Sequence, residues 1–420
     1  MNNIKDWDWQ TGKKVLADLE KIKSAFARVD EYCVSPDGEK LAAPVLTEEG
    51  TFTVGVNGET WPETFELLWY LRFAPNGRLV GLARIDDLWT PVVDGRPWES
   101  RFEYAWDVRF GAGGKTVGVL YKRENQYGVA IDDKPWENDY LGIRDYDLSP
   151  DGTIAAATVQ VEALPEADVF KFFEGVWSVA VNGKAWDKKY INTWKPAFSG
   201  DGRSVAAEIR TDICDYGVAV DNAPWPTRFG CVWEPLFRPG TSRVIAPVRD
   251  GGRWTLAEDG QILWKNRFAQ LWGQKFSPDG KRLAAIASSE FGMWTIIVDD
   301  QPWPKLFGEM VLEPVFSPDS SHVAAIVKDD GLWTLALDGC PWNEKFEMIW
   351  EPVFSPCGRH VLAKAERNGK FFVVADGKVS ESGYAALWSP VFSPDGAQVL
   401  LRYVVEGKYC REVVPADRLY

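Results

Sequence analysis

Histidine is nearly absent from this chain: His322 and His360 are the only two in 420 residues. Both stand at the start of a predicted strand. They offer neither a Ser-His-Asp triad nor a histidine metal site, and are expected to be surface substitutes for Lys or Arg. The six cysteines, Cys33, Cys214, Cys231, Cys340, Cys357 and Cys410, show no CxxC, CxxCH or ferredoxin-like spacing, so no zinc, haem or iron–sulfur cofactor is expected. No run approaches the ~18 apolar residues of a membrane-spanning helix. The opening Met1-Asn2-Asn3-Ile4-Lys5-Asp6 has no apolar signal core. The expectation is a cytoplasmic, reduced protein whose membrane contact is peripheral or made through a partner.

An excess of basic charge is missing as well. The chain carries 47 Lys and Arg against 61 Asp and Glu, a net charge of −14, which argues against binding a phosphate backbone and so against nucleic acid. No Walker loop, GxGxxG after a strand, GxSxG elbow or HExxH occurs, and Gly113-Gly114 reads as a turn. Carboxylates are plentiful enough to leave a glycoside hydrolase open as a third reading. Nothing in their spacing indicates one, and the chain is expected not to be an enzyme.

What the sequence does have is a repeat. A Ser-Pro-Asp-Gly-like turn begins at Ser35, Ala74, Gly111, Ser149, Ser199, Arg238, Ser277, Ser317, Ser355 and Ser393, at intervals of 37 to 40 residues apart from one step of 50. Such a period means stacked supersecondary units, so one repeat domain over residues 24–420 is expected rather than several cores. In the unit from Glu351 to Trp388, Pro352-Val353-Phe354 forms strand a and ends at Ser355-Pro356-Cys357-Gly358. His360 to Ala365 forms strand b. Phe371 to Ala375 forms strand c and closes at Asp376-Gly377, and Tyr384 to Trp388 supplies strand d. Pro presets the turn dihedral and Gly accepts the left-handed conformation the hairpin requires. Four antiparallel strands in about 38 residues make a β-propeller blade. The fold class is therefore all-β, a propeller of about ten four-stranded blades, with two adjoining five-bladed rings as the alternative. Residues 25–31 align with strand d although no strands a to c precede them, while the C-terminal unit lacks a strand d. An N-terminal strand completing the last blade would hide two edges.

Twenty of the 22 tryptophans occupy three slots of this repeat. Slot one follows the second turn and holds Trp61, Trp98, Trp136, Trp186, Trp225, Trp264, Trp303 and Trp342. Slot two lies in strand c and holds Trp89, Trp177, Trp254, Trp294 and Trp333. Slot three ends strand d and holds Trp69, Trp106, Trp194, Trp233, Trp272, Trp350 and Trp388. Slots one and two are expected to fill the space between blades, at ~150–250 Å² of buried surface per ring. Slot three is better placed for an aromatic ligand surface or an electron relay. Directly after it stand Asp107, Asp145, Glu234, Glu313 and Glu351, five acids in one repeat position that would line an acidic rim attracting a basic peptide or cation.

Departures from the repeat mark the candidate partner-binding residues. The long step contains an inserted loop at 161–173 that presents Leu164, Val169, Phe170, Phe172 and Phe173. Arg144 replaces the slot-three Trp just before it, and Lys378-Val379-Ser380 replaces Pro-Trp in the ninth unit. At the N-terminus, residues 1–23 read as a helical extension, with Val15, Leu16, Leu19 and Ile22 on one stripe behind Trp7 and Trp9.

The units Phe276-Ser277-Pro278-Asp279-Gly280, Phe316-Ser317-Pro318-Asp319 and Phe392-Ser393-Pro394-Asp395-Gly396 resemble the WD-like repeats of TolB-type propellers. The Trp-Thr and Asp-Gly-x-Pro-Trp pattern, with the tryptophan load and the size, is similar to the tryptophan-rich subunit of the transmembrane cytochrome (Tmc) redox complex of sulfate-reducing bacteria. That resemblance implies a cofactor-free docking or scaffold subunit, with membrane-bound cytochrome and iron–sulfur subunits as partners. It further implies a place at the inner face of the cytoplasmic membrane. Apart from that resemblance, a soluble propeller binding a peptide or carbohydrate is the alternative.

Overall fold

The computed structural model describes residues 4–166 and 168–420. Ten small antiparallel sheets stand in a single ring, a ten-bladed β-propeller. Blade 2 shows the plan: Leu67–Phe73, Leu79–Ile85, Leu88–Val93 and Arg96–Pro97 pair in sequence order. First strands of neighbouring blades touch one another around the axis, so they are the innermost.

The strand assignment differs from the sequence expectation in one respect. The segments read as strand d and as the following strand a are two halves of one inner strand, and both pair with the second strand of the same blade. In blade 10, Ala386–Phe392 is a single strand with a bulge between Trp388 and Val391. In blade 6 the halves separate into Cys231–Val232 and Leu236–Phe237. Pro196, Pro235, Pro314 and Pro352 sit at four such breaks, where a residue without an N–H cannot continue the ladder. The true fourth strand is the pair of residues after the Asp-Gly turn. It is extended by an isolated bridge such as Trp89 to Phe102, or Phe371 to Tyr384.

Side chains tie the turns of the blades. Ser277 Oγ donates to Asp279 Oδ1 at 2.7 Å and accepts the Arg282 N–H at 2.9 Å. The first amide of the second strand then donates to the Asp of the Asp-Gly turn, as Leu79 does to Asp94 at 2.8 Å. Asp94 has φ 48° and Gly95 φ 82°, the pair of positive dihedrals that a type I′ hairpin demands.

Slot-one tryptophans pack beneath the Asp-Gly turn of the next blade. A Cβ on Gly339 would meet Trp303 Cγ at 3.1 Å, and one on Gly377 would meet Trp342 Cγ at 3.2 Å, so glycine there makes room for the ring as well as for the turn. The Thr after slot two holds the same tryptophan from behind: Thr334 Oγ1 donates to the carbonyls of Trp342 at 3.3 Å and Glu344 at 2.7 Å. That is the physical content of the Trp-Thr pairing.

An N-terminal strand completes the C-terminal blade, as expected, but it is Gly12–Asp18 and not residues 25–31. It pairs antiparallel with Lys408–Pro415, from Gly12 opposite Val413 to Asp18 opposite Lys408. The helical extension is correspondingly shorter. Helix α1 covers only Leu19–Ala25, capped by Asp18 accepting from Glu20 and Lys21 amides, with Leu19 and Ile22 buried. Residues 25–31 instead supply Arg28–Val29 to blade 1. Across the seam, Arg402 Nη1 donates to the Ser35 carbonyl at 3.1 Å, Tyr409 Oη to Gly38 at 2.8 Å and Arg411 Nε to Asp37 at 2.9 Å.

Candidate functional site

Antiparallel order sends the two hairpin turns of blades 1 to 9, and the first turn of blade 10, to one end of the ring. The loop between second and third strands, and the start of each inner strand, go to the other end. The large exposed apolar side chains follow this division. Among the described residues, all but Val15 and Ile262 lie at the second end. Phe291 is 94% exposed and Phe170 86%. Ile213, Leu88 and Leu332 occupy the same loops or strand starts in other blades, while Trp69, Tyr104, Trp233 and Met310 come from inner-strand starts.

Slots two and three meet at this end. Trp69 stacks on Trp89 with centroids 4.5 Å apart, Trp233 on Trp254 at 5.3 Å, and Trp272 lies edge-on to Trp294 at 5.0 Å. Trp89 and Trp254 are buried, whereas Trp69 and Trp233 are 44% and 45% exposed. The slot-two ring thus belongs to the interblade core and holds a slot-three ring flat at the surface. In blade 4, Arg144 takes the place of the missing tryptophan, its guanidinium 3.8 Å from the centroid of Trp177. It also donates to Asn192 Oδ1 of blade 5.

Trp177 is the first residue of the strand that leaves the insert, so the structure brings Arg144 and the insert together. Within the insert, helix α2 covers Val169–Glu174. Asp168 caps it by accepting the Lys171 amide at 2.8 Å, and Glu162 is clamped between Lys171 and Lys189. Those two lysines hold the Glu162 carboxyl down to about 2. Leu164, Val169, Phe170 and Phe173 are exposed, and Phe172 is half-buried with its ring 5.5 Å from that of Phe173. Trp7 and Trp9 stack on each other at 5.9 Å but belong to the opposite end. There Thr11 reaches Gln398, and Arg411 donates to the Asp8 carbonyl.

The five acids sit at the bulge or break of their inner strands. Asp107 pairs with Arg109 at 2.8 Å, Glu234 with Lys195 at 3.0 Å and Glu313 with Lys275 at 2.7 Å. Among the described residues Asp145 and Glu351 form no salt bridge. Glu234 and Glu313 line a cavity of about 770 Å³ at the axis, bounded by inner strands of blades 4 to 8. Sequence reasoning passed over Lys195, Gln274 and Lys275, which also line it. Lys195 occupies the acid slot of blade 5, and that slot comparison would have found it. A third carboxyl, the half-buried Asp147, also lines the cavity, and Glu208 lies buried nearby. Burial raises Asp147, and burial together with the neighbouring Glu234 pushes Glu208 to about 8.

His322 and His360 each hold the Asp of their own Asp-Gly turn, at 2.6 and 2.8 Å, where blade 7 uses Arg282 with Asp299 at 3.3 Å. Among the described residues no group of three or more His, Cys, Asp or Glu is placed to hold a metal ion, and no helix is long and apolar enough to cross a membrane.

No protein family matches the chain, and neither does any curated protein. Similar solved structures include a eukaryotic initiation factor, 12% identical over 74% of this chain and 84% of that one, TM-score 0.44. Another is the hydrazine synthase of Kuenenia stuttgartiensis, 12% identical over 73% of this chain and 94% of that one, TM-score 0.30. A putative TolB from Agrobacterium tumefaciens is 18% identical over 42% of this chain and 71% of that one, TM-score 0.25.

Proposed function

We propose that this chain is a non-catalytic scaffold whose insert-bearing end receives a protein partner. The observation that carries the reading is the segregation of exposed apolar side chains to one end of the ring. Scattered exposed residues are ordinary, whereas a concentration on one face marks contact surfaces. Phe170 stands out on the capped helix α2 and Phe291 on the loop between the second and third strands of blade 7. The likeness of the tryptophan pattern to the Tmc subunit supplies the partner class, membrane-bound cytochrome and iron–sulfur subunits. Through them the ring would be held peripherally at the inner face of the cytoplasmic membrane.

The test is native purification of the tagged full chain, with haem absorbance and acid-labile sulfide measured in the eluate. Phe170→Glu with Phe291→Glu should remove both signals, while Ile262→Glu, at the other end, should retain them. An eluate with neither haem nor sulfide, or equal loss in both variants, overturns the proposal.

A further inference from the structure

The axial cavity, at about 770 Å³, falls within the roughly 300–1,000 Å³ usual for small-molecule sites. Its main platform is Trp233. One face of that ring is fixed on Trp254, 7° from parallel, and the side chain remains 45% exposed. An indole held in this way presents a flat apolar surface whose orientation is already set before a ligand arrives. Beside it, Gly273 at φ 62° occupies the slot that carries an acid in five other blades. A Cβ there would meet Ile286 Cδ1 at 3.2 Å and Glu313 Cγ at 3.4 Å, so the glycine keeps this part of the wall open.

The polar lining holds two lysines and three carboxyls, the third being Asp147, which accepts the Leu148 amide at 2.9 Å. Lys195 is matched with Glu234 and Lys275 with Glu313, each pair joining neighbouring blades. A cationic ligand would have to compete with a lysine for Glu234 and Glu313 and with a backbone amide for Asp147, and an anionic one with a carboxylate for each lysine. A neutral ligand bearing hydroxyls can use both members of a pair as they stand, donating to the carboxylate and accepting from the ammonium. Gln274 Nε2 donates to the Glu234 carbonyl at 2.5 Å, which turns its Oε1 into an available acceptor. These groups converge on one compact space, whereas an extended peptide would need partners spread along a line.

We infer that the axial cavity between blades 4 and 8 binds a neutral carbohydrate, a pyranose ring laying its C–H face on Trp233 with its hydroxyl edge against the two Lys–Glu pairs and Gln274. The apolar face and the hydroxyl edge of a pyranose match the indole and the paired charges respectively. Trp233, at the same end as the proposed docking surface, lines the cavity, but the ligand does not depend on that surface.

The experiment uses the full chain and a panel of neutral disaccharides, maltose, cellobiose, chitobiose and mannobiose, followed by tryptophan fluorescence and calorimetry. A proline-rich peptide is titrated in parallel. One saccharide should saturate a single site, with Trp233→Ala and Gln274→Ala each weakening it at least about tenfold. Trp69→Ala is the control: that ring has the same exposure and a similar stacking partner but lies outside the cavity, and binding should stay within about twofold. Gln274→Ala keeps the test sound if loss of the Trp233 ring disturbs the fold. Absence of saturable binding by any of the sugars, binding untouched by both cavity variants, or capture of the peptide instead would overturn the inference.

Discussion

Replacing Arg411 should open the ring at its seam. Arg411 is 1% exposed, the largest fully buried side chain among the described residues. It stands on the last C-terminal strand, and its Nε donates to the Asp37 carbonyl at 2.9 Å and lies 3.0 Å from Glu39 of blade 1. Its Nη2 reaches the Asp8 carbonyl of the N-terminal segment. One side chain therefore holds the end of the chain, its beginning and the first turn. Arg411→Met keeps most of the volume and deletes the charge. Two charge-assisted bonds to carbonyls are lost, each about 1.5 to 3 kcal/mol, while the desolvation cost of the guanidinium is recovered in part. Glu39 keeps Lys14 at 3.0 Å, so no carboxylate is stranded. The net cost is about 3 kcal/mol. If 420 residues unfold as one unit at roughly 2.1 cal/mol/K each, the melting temperature falls by about 3 to 4 °C. If the seam yields first, calorimetry will show an early transition before the main one, as expected of stacked repeats. Arg203→Met is the comparison, because Arg203 and Asp201 are 3.9 Å apart and open to solvent, where pairs contribute about 0 to 1 kcal/mol. Equal, negligible shifts in both variants would refute closure through this seam.

Three further outcomes follow from individual groups. Cys357 takes the place of the turn Asp, with Ser355 Oγ and Arg359 Nε each 3.4 Å from its sulfur, and they draw the thiol down to about 6. Its alkylation should therefore reach half-maximal rate near that pH. Any stabilisation from its thiolate is complete above the ordinary thiol value and fades as pH falls through about 6; a midpoint near 9 would refute the reading. Glu208, raised to about 8, should favour folding fully below the ordinary carboxylate value near 4.5 and lose that contribution as pH rises through about 8. Glu208→Gln should then flatten the decline in thermal stability between pH 5 and pH 8, an expectation that an unchanged slope would contradict. Gly339→Ala, at φ 83° and against Trp303, should cost about 1 to 3 kcal/mol more by urea denaturation than Gly251→Ala, at φ 57° with open space. Equal costs would mean that Trp303 does not need the turn glycine.

The turns and tryptophan slots were legible because both are local. Ser-Pro-Asp-Gly and Asp-Gly specify their own dihedrals, and a ring in a fixed slot meets the same neighbour in every blade. Strand partnership was less legible. The segment at Tyr384 to Trp388 looks like one strand, yet Tyr384 bridges back to Phe371 while Ala386–Phe392 pairs forward with Gln398–Val405. Proline after slot three also suggests an ending where the structure has only a bulge or a break. The closing strand was hidden by ambiguity of period. Val15, Leu16, Leu19 and Ile22 suit a helix, but Val15, Ala17 and Leu19 also alternate, and the distant edge of Lys408–Pro415 decides between them. At the cavity, the acids were visible as a slot in which Lys195 also stands, but the pairing of Lys195 with Glu234 and of Lys275 with Glu313 was not, because each pair joins different blades.

The central claim is that the end carrying the insert is where a partner sits. Hydrogen exchange of the full chain, alone and in its natively purified assembly, tests it most directly. Protection should concentrate at 163–175, 211–215 and 289–293, with the Ser-Pro-Asp-Gly turns at 35–38 and 277–280 unchanged. Protection confined to those turns, with the insert exchanging as it does in the free chain, would contradict the account.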